Sequence, residues 1–360
     1  MTAVKTVKCL VWDLDNTLWQ GTLLEDETVV LSDAIREVIV GLDTRGVLQS
    51  VSSRNDHALA WARLEALGVA DYFVVPQIGW GRKSDAVRRI TEQLNFAPGT
   101  VAFIDDQPAE RAEVAHHLPD VRCYPAADAT TLLGLPEFSP RSVTVDARRR
   151  RKMYQAGFRR TDEQTRFTGS DEDFLRSLDM VLRIGRATED ELSRVEELTL
   201  RTSQLNATGV HYPDEALRAL LTRPGHEVLV TTLTDRFGPH GAVGVLLLEK
   251  HPGAWHLKLL ATSCRVVAFG TGTMILNWLT DQAARARVHL LADFRPTDRN
   301  RMMEIAYRFA GFDDRPCDCR ALIPSRPGAG VQVLHLLATR RDAPTTARLV
   351  APDLTAGGPA

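Results

Sequence analysis

Two aspartates, Asp13 and Asp15, stand two residues apart where an apolar run ends in the segment CLVWDLDNTLW. Carboxylates held that close repel one another unless a cation sits among them, and hard oxygen ligands with open positions suit Mg2+. The chemistry this permits is phosphoryl transfer. Asp13 would attack phosphorus; Asp15, on the same face of an extended strand, would protonate the leaving oxygen and later activate water. Ser53, after the next apolar run, would hold a phosphate oxygen through its hydroxyl. Lys83, opening a later helix, would neutralise the phosphate and the nucleophile. Asp105 and Asp106, after VAFI, complete an expected metal set of Asp13, Asp15, Asp105 and Asp106.

A second centre lies in LLATSCRVVAFGTGTMILNWL. Cys264 ends an apolar run, Arg265 follows, and Gly270 and Gly272 precede a helix whose free N–H groups suit a phosphate or pyrophosphate. A thiol beside an arginine near a helix start favours its thiolate and is a candidate nucleophile; the competing reading is a small buried apolar residue. His256, His289 and His211 are open choices for its base.

Elements that could position these residues follow from periodicity. From residue 1 to about 135, apolar runs of four to six residues alternate with helical patterns of ten to sixteen, which predicts parallel strands in a doubly wound α/β sheet. Gly46 and Gly68 close two of the helices. In such sheets ligands bind beyond the carboxyl ends of the strands, where Asp13, Asp15, Ser53, Asp105 and Asp106 fall. The gaps from Asp13 to Ser53 and from Ser53 to Lys83 are too short for a folded cap, so the site should be open. Residues 141–170 read as a linker leading into a basic helix. From 171 to 342 clustered strands flanked by helices predict an α+β domain, and 343–360 reads as a flexible tail.

Composition agrees with a soluble two-domain protein. The 360 residues are 44% hydrophobic and 25% charged, with net charge −2, which gives no overall pull toward nucleic acid or acidic membranes. MTAVKTVKCLVWDLD has neither a signal-peptide nor a membrane-span pattern, so a cytoplasmic location is expected. Five cysteines, unevenly spaced, imply reduced thiols.

The combination of D-x-D-x-T after a strand, S-R-N after the next, a lysine opening a helix and a DD pair resembles the four motifs of the haloacid dehalogenase (HAD) superfamily, most of whose members are phosphatases. This carries Thr17, Arg54 and Asn55 over as phosphate-side residues beside Ser53 and Lys83. More of the chain, from about residue 5 to 325, resembles the FkbH-like family of glyceryl transferases. The segments that carry this are VWDLDNTLW, SSRND, FIDDQPAER, LTLRTSQLNATGVHY, DRFGPHGAVGVLLLE, SCRV and FRPTDRNRMMEIAYRFAGF.

That resemblance implies a capless HAD-like domain of residues 1–140 and an acyltransferase domain of the GNAT type at 171–342. It implies removal of phosphate from 1,3-bisphosphoglycerate and delivery of a D-glyceryl thioester to the phosphopantetheine arm of an acyl carrier protein in polyketide biosynthesis, as for methoxymalonyl-type extender units. Cys264 matches the family's S-C-R cysteine and becomes the acyl acceptor. Arg201, Gln204, Asn206, Asp235, Arg236, Thr297 and Asn300 lie in family-like segments and are expected to position the glyceryl group, although Asn206 and Asp235 also read as turn residues. The chain departs from the family after SCRV: Val267-Ala268-Phe269-Gly270 stands where a Gly-Arg-Gly turn is usual.

Two rival readings are a Mg2+-dependent phosphatase whose C-terminal domain only binds a partner, and a non-enzymatic adaptor. The run ARRRRK, 147–152, with Arg159 and Arg160, reads as a solvated helix face or a dock for an acidic carrier protein. Cys317-Asp-Cys319 is tighter than the usual C-x2–4-C of a zinc site and shows no second ligand pair nearby in sequence, so it reads as structural.

Overall fold

Cys9, Leu10, Val11 and Trp12 are inaccessible to solvent at every position, so the first strand is covered on both faces. The structure is a computed structural model that describes residues 6–26, 28–140, 143–201, 205–323, 328 and 330–355. It divides into two compact units, Met1–Phe158 and Arg159–Ala360.

The first unit runs β1 (Cys9–Trp12), α1 (Asp33–Thr44), β2 (Leu48–Ser53), α2 (His57–Ala66), β3 (Gln77–Ile78), α3 (Lys83–Gln93), β4 (Val101–Asp105), α4 (Pro108–His117) and β5 (Arg122–Pro125). Its five strands are parallel in the order β3-β2-β1-β4-β5. Alternation along β1 explains the continuous apolar run: Leu10 and Trp12 join a cluster with Ile35, Val38 and Ile39, while Cys9 and Val11 join one with Val87, Ile90 and Val114. Full burial of each large side chain is worth about 1.5–3 kcal/mol. Trp12 keeps its indole N–H paired with Gln49 Oε1 at 3.1 Å.

Helix starts follow local chemistry. Ser32 caps α1 by accepting from the Ile35 N–H, and Asp56 caps α2 by accepting from the Leu59 N–H. Gly46 closes α1 at φ +74°, where a Cβ would meet the Ala147 carbonyl oxygen at 2.7 Å. The strand order reverses between β1 and β4, and that switch point is where such sheets bind ligands. No cap domain is inserted: α2, a single 3-10 turn and β3 occupy the stretch from Ser53 to Lys83.

The segment read as linker and basic helix holds α5 (Val145–Arg148) and α6 (Arg150–Arg166); Arg141 and Ser142 lie outside the described residues. Part of the basic run is neither a solvated face nor free for docking. Arg150 donates to the Gly46 carbonyl at 2.7 Å, and Arg151 forks onto Asp43 at 2.9 and 3.2 Å while lying over the Tyr72 ring. A guanidinium gains more from a bidentate carboxylate and an aromatic face than from water alone.

The second unit continues with α7 (Asp171–Ser177), β6 (Met180–Arg186), α8 (Leu192–Arg201), α9 (Asp214–Leu221), β7 (His226–Asp235), β8 (Gly238–His251), β9 (Ala254–Thr262), α10 (Thr271–Ala286), β10 (His289–Phe294), α11 (Arg301–Ala310), β11 (Gln332–Leu336) and β12 (Ala347–Val350). Seven strands form one mixed sheet in the order β11-β10-β9-β8-β7-β6-β12. Leu246, Leu248, Leu257 and Leu260 pack with Ile275 and Leu279 of α10, whereas Val245, Leu247, Leu259 and Ala261 pack with Val195, Leu198 and Leu217 of α8 and α9. The doubly wound parallel α/β sheet followed by an α+β domain is therefore the class observed.

The tail is corrected. Residues 347–350 form β12, parallel to β6, and Leu354 is fully buried, its N–H on Gln282 Oε1 at 2.9 Å and its carbonyl on Lys250 Nζ at 2.6 Å. A short edge strand held by backbone pairing needs no apolar periodicity, so the Pro, Gly, Ala and Thr composition concealed it. Among the described residues no helix is long and apolar enough to cross a membrane.

Candidate metal and phosphoryl-transfer site

Asp13 follows β1 directly, and its N–H donates to the Ile104 carbonyl of β4 at 2.9 Å, so pairing across the switch point fixes it beside Asp105. Carboxylate oxygens of Asp13, Asp105 and Asp106 lie within 4.8 Å of one another. Lys83, only 2% exposed at the start of α3, donates to Asp13 Oδ1 and to the Ser52 carbonyl at 2.7 Å. It also pairs with Asp105 Oδ2 at 3.1 Å and Glu110 Oε2 at 3.2 Å.

One buried ammonium thus serves three carboxylates. Burial pushes Asp13 above the usual carboxylate range even with Lys83 beside it, and burial likewise raises Asp105 and Glu110. Burial opposes the charge on Lys83 too, but Asp13 and Asp105 outweigh it and hold the ammonium above its ordinary value. Asp106 Oδ1 is buried with no hydrogen-bond partner. Excess negative charge, an unpaired buried carboxylate oxygen and an all-oxygen donor set fit a hard divalent cation such as Mg2+.

Asp15 corrects the expected ligand set. Its carboxylate lies outside the cluster of Asp13, Asp105 and Asp106 and accepts from Trp19 Nε1 at 2.8 Å, the Leu23 N–H at 3.0 Å and Asn55 Nδ2 at 3.0 Å. Three N–H donors fix the direction of a carboxylate as firmly as a cation would. Asn55 is corrected for the same reason: its amide donates to Asp15 and its Oδ1 accepts from the Asp56 N–H at 3.0 Å, so it holds the Asp15 carboxylate rather than a phosphate.

The remaining first-unit residues gather around this centre. Thr17 Oγ1 accepts from the Asp106 N–H at 3.0 Å and so ties the loop after β1 to the loop after β4. Arg54 pairs with Glu110 at 2.9 Å. Ser53 and Lys83 line a cavity of about 170 Å³ together with Ser52, Gly81 and Trp80, whose ring is 71% exposed. Glu110 was not evident from residue spacing: it sits in the first turn of α4, and only folding carries it between Lys83 and Arg54. Trp19, which orients Asp15, was equally hidden, since a tryptophan after D-x-D-x-T reads as core.

In the second unit Cys264 is exposed and opens a 3-10 turn, Cys264–Phe269, that ends at Gly270 in the left-handed region at φ +68°. Arg265 Nε donates to Ser263 Oγ at 3.3 Å. Gly270 caps α10 with no side-chain hydrogen bond, and a Cβ on Gly270 or Gly272 would meet only open space, whereas Thr271 between them is fully buried. Each histidine considered as a base for Cys264 has one ring nitrogen engaged away from it: His256 Nε2 with Asp293 at 2.6 Å, His211 Nδ1 with Thr199 Oγ1 at 2.9 Å, and His289 Nδ1 with His335 at 3.0 Å.

Two asparagines expected to meet substrate spend their side chains on the fold. Asn206 donates to the Thr199 and Val210 carbonyls and accepts from the Thr208 and Gly209 N–H groups. Asn300 donates to the Asn206, Ala207 and Arg295 carbonyls and accepts from the Thr297 N–H. An amide has two donors and one acceptor oxygen, so little is left for a ligand. Asp235 likewise closes the β7–β8 turn by accepting from the Phe237 and Gly238 N–H groups, and it pairs with Arg160 and His240. Thr297 is exposed, Arg236 pairs with Glu163 at 2.9 Å, Arg201 ends α8, and Gln204 lies outside the described residues.

No family model matches the chain. No curated protein matches it either. Solved structures similar to it include the N-terminal part of the protein BF1531 from Bacteroides fragilis, containing a phosphatase domain complexed with Mg: identity is 30% over 38% of this chain and 42% of that one, with TM-score 0.35. The match therefore spans less than half the length of that protein. A HAD-superfamily hydrolase from Ehrlichia chaffeensis is 12% identical over 37% of this chain and 98% of its own, with TM-score 0.30. The aminoglycoside acetyltransferase AAC(6')-Ib, in complex with coenzyme A, is 13% identical over 43% of this chain and 94% of its own, with TM-score 0.33.

Proposed function

We propose that the first unit is a Mg2+-dependent phosphatase site. The observation that carries this reading is Lys83, buried and in contact with Asp13 while Asp13, Asp105 and Asp106 converge. Asp13, Asp105 and Asp106 would hold the ion, which supplies positive charge for phosphate oxygens. Asp13 attacks phosphorus and the bond to the leaving oxygen breaks. Asp15, aimed by Asn55 and Trp19, gives that oxygen a proton. Asp15 then takes a proton from water as it attacks the aspartyl phosphate, which releases inorganic phosphate and restores Asp13.

For the whole chain, the FkbH-like resemblance supports a glyceryl transferase that loads an acyl carrier protein from 1,3-bisphosphoglycerate. The Cys264 thiolate would attack the acyl-phosphate carbonyl, expel the C1 phosphate and form a 3-phosphoglyceryl thioester; hydrolysis of the remaining 3-phosphate ester by the Asp13 chemistry above would release the second phosphate and leave a glyceryl thioester, and the carrier's pantetheine thiol would then take the acyl group and return the Cys264 thiol. The exposed thiol, at the head of the turn that leads into α10, supports this step. The rival, a phosphatase whose second unit only binds a partner, is favoured by one observation: among the described residues no hydrogen bond joins Cys264 to His256, His211 or His289.

Intact mass after incubation with 1,3-bisphosphoglycerate and Mg2+, with and without a holo carrier protein, separates the two. A glyceryl-sized gain that disappears in Cys264→Ala establishes the acyl-enzyme. Phosphate release that Asp13→Asn abolishes, with no mass gain in wild type, leaves the phosphatase alone.

A further inference from the structure

Four soft or borderline ligands that are scattered in sequence meet at the edge of the second sheet. His289 opens β10, His335 lies in β11, and Cys317 and Cys319 flank the start of the 3-10 turn Asp318–Leu322. His289 Nδ1 lies 3.0 Å from His335 Nε2 and 3.4 Å from Cys317 Sγ, and one ligand atom from each of the four residues lies within 4.8 Å of every other. Cys317-Asp-Cys319 lacks a second ligand pair only along the sequence; antiparallel pairing of β10 with β11, which sets His335 opposite Leu291, provides it.

We infer that Cys317, Cys319, His289 and His335 form a structural zinc site. Zn–S bonds of about 2.3 Å and Zn–N bonds of about 2.0 Å in a tetrahedron separate neighbouring ligand atoms by roughly 3.3–3.8 Å, close to the two separations found here. Two thiolates and two neutral imidazoles select zinc over the oxygen-seeking Mg2+ of the first unit. On binding, each thiol gives up its proton to solvent, and two thiolates balance the dication, so the closed centre carries no net charge. That neutrality suits a place where Cys319 is buried beside Ala254 and Leu291.

The backbone is already arranged for it. Cys317 is extended, at φ −148° and ψ 138°, before the chain turns, and its carbonyl accepts from the Arg320 N–H at 3.1 Å. His335 exchanges backbone hydrogen bonds with Asp313 at 2.7 and 2.8 Å, and the His289 N–H donates to the Gly253 carbonyl at 3.0 Å. With four protein ligands no coordination position stays open for water, so the ion is a clamp joining β10, β11 and the intervening turn, not a catalytic centre.

The test is elemental analysis of the full chain purified with zinc and dialysed, beside Cys317→Ser/Cys319→Ser and His335→Gln. One zinc per chain is expected in wild type, with none retained by the cysteine double variant and loss on dialysis from His335→Gln. Titration of metal-stripped wild type with Co2+ gives an independent reading that needs no variant to fold. Intense thiolate-to-cobalt charge-transfer absorption, undiminished by excess Mg2+ and abolished by zinc, is expected. Wild type with no stoichiometric zinc and no such absorption, or zinc retained in the double cysteine variant, overturns the site.

Discussion

Asn55 Nδ2 donates to Asp15 Oδ2 at 3.0 Å, so a residue at the end of the second strand aims the carboxylate that follows the first. Asn55 is 1% exposed and its other amide atom is committed to the Asp56 N–H, which leaves it one orientation. Asn55→Ala should therefore lower kcat for phosphate-ester hydrolysis by about 100-fold while KM stays close to wild type, since misplacing a catalytic group by an ångström costs about that much. Steady-state kinetics on a simple aryl phosphate decide it; a rise in KM with kcat unchanged would return Asn55 to phosphate binding.

Lys83→Met removes the only ammonium in contact with Asp13, Asp105 and Glu110 among the described residues. Breaking a buried ion pair from one side costs about 3–5 kcal/mol. Urea unfolding should show a loss of that size in metal-free protein and a smaller one with excess Mg2+, because the ion takes over part of the neutralisation. Phosphatase activity should vanish in both cases.

Acid stability should be governed partly by His240. Burial lowers its pKa, and the charge on Arg160 adds to this, although Asp235 opposes both. The unfolded chain binds this proton below about pH 6.5 and the folded chain does not, so stability should fall as pH drops through that value, by up to about 1.4 kcal/mol per pH unit. For Asp235 burial favours the neutral acid, but hydrogen bonds from His240 and Arg160 prevail and hold it well below the usual carboxylate range. Its stabilisation is full above about pH 3.9 and is lost below it. Unfolding free energies should show both windows in wild type, and His240→Gln should flatten the upper one; an unchanged slope would mean another group titrates there.

Thiol reactivity should rank with exposure. Cys264 is exposed, whereas Cys9 is buried in the first sheet and burial pushes its thiol far above the ordinary range. Native alkylation followed by peptide mapping should label Cys264 first, Cys264→Ala should lack the fast phase, and Cys9 should react only on unfolding. Early labelling of Cys9 would contradict the packing of β1.

Much of the first site was legible because its residues sit where secondary structure changes: Asp13 after an apolar run, Ser53 after the next, Lys83 at a helix start and Asp105 at a strand end. Period and punctuation are local properties, and a parallel sheet places strand ends together whatever the rest of the chain does. Which carboxylates share a cation was not local. Spacing put Asp13 and Asp15 in one expected metal set, yet pairing with β4 sends Asp13 to Lys83, while Trp19, Leu23 and Asn55 hold Asp15 outside the cluster of Asp13, Asp105 and Asp106. Asn206 and Asn300 look like ligand contacts until the backbone groups they satisfy are in view. The strand at 347–350 and the Cys317, Cys319, His289 and His335 cluster are the clearest cases. An edge strand is made by its partner, and four ligands from β10, a turn and β11 become neighbours only through antiparallel registration, which no spacing along the chain encodes.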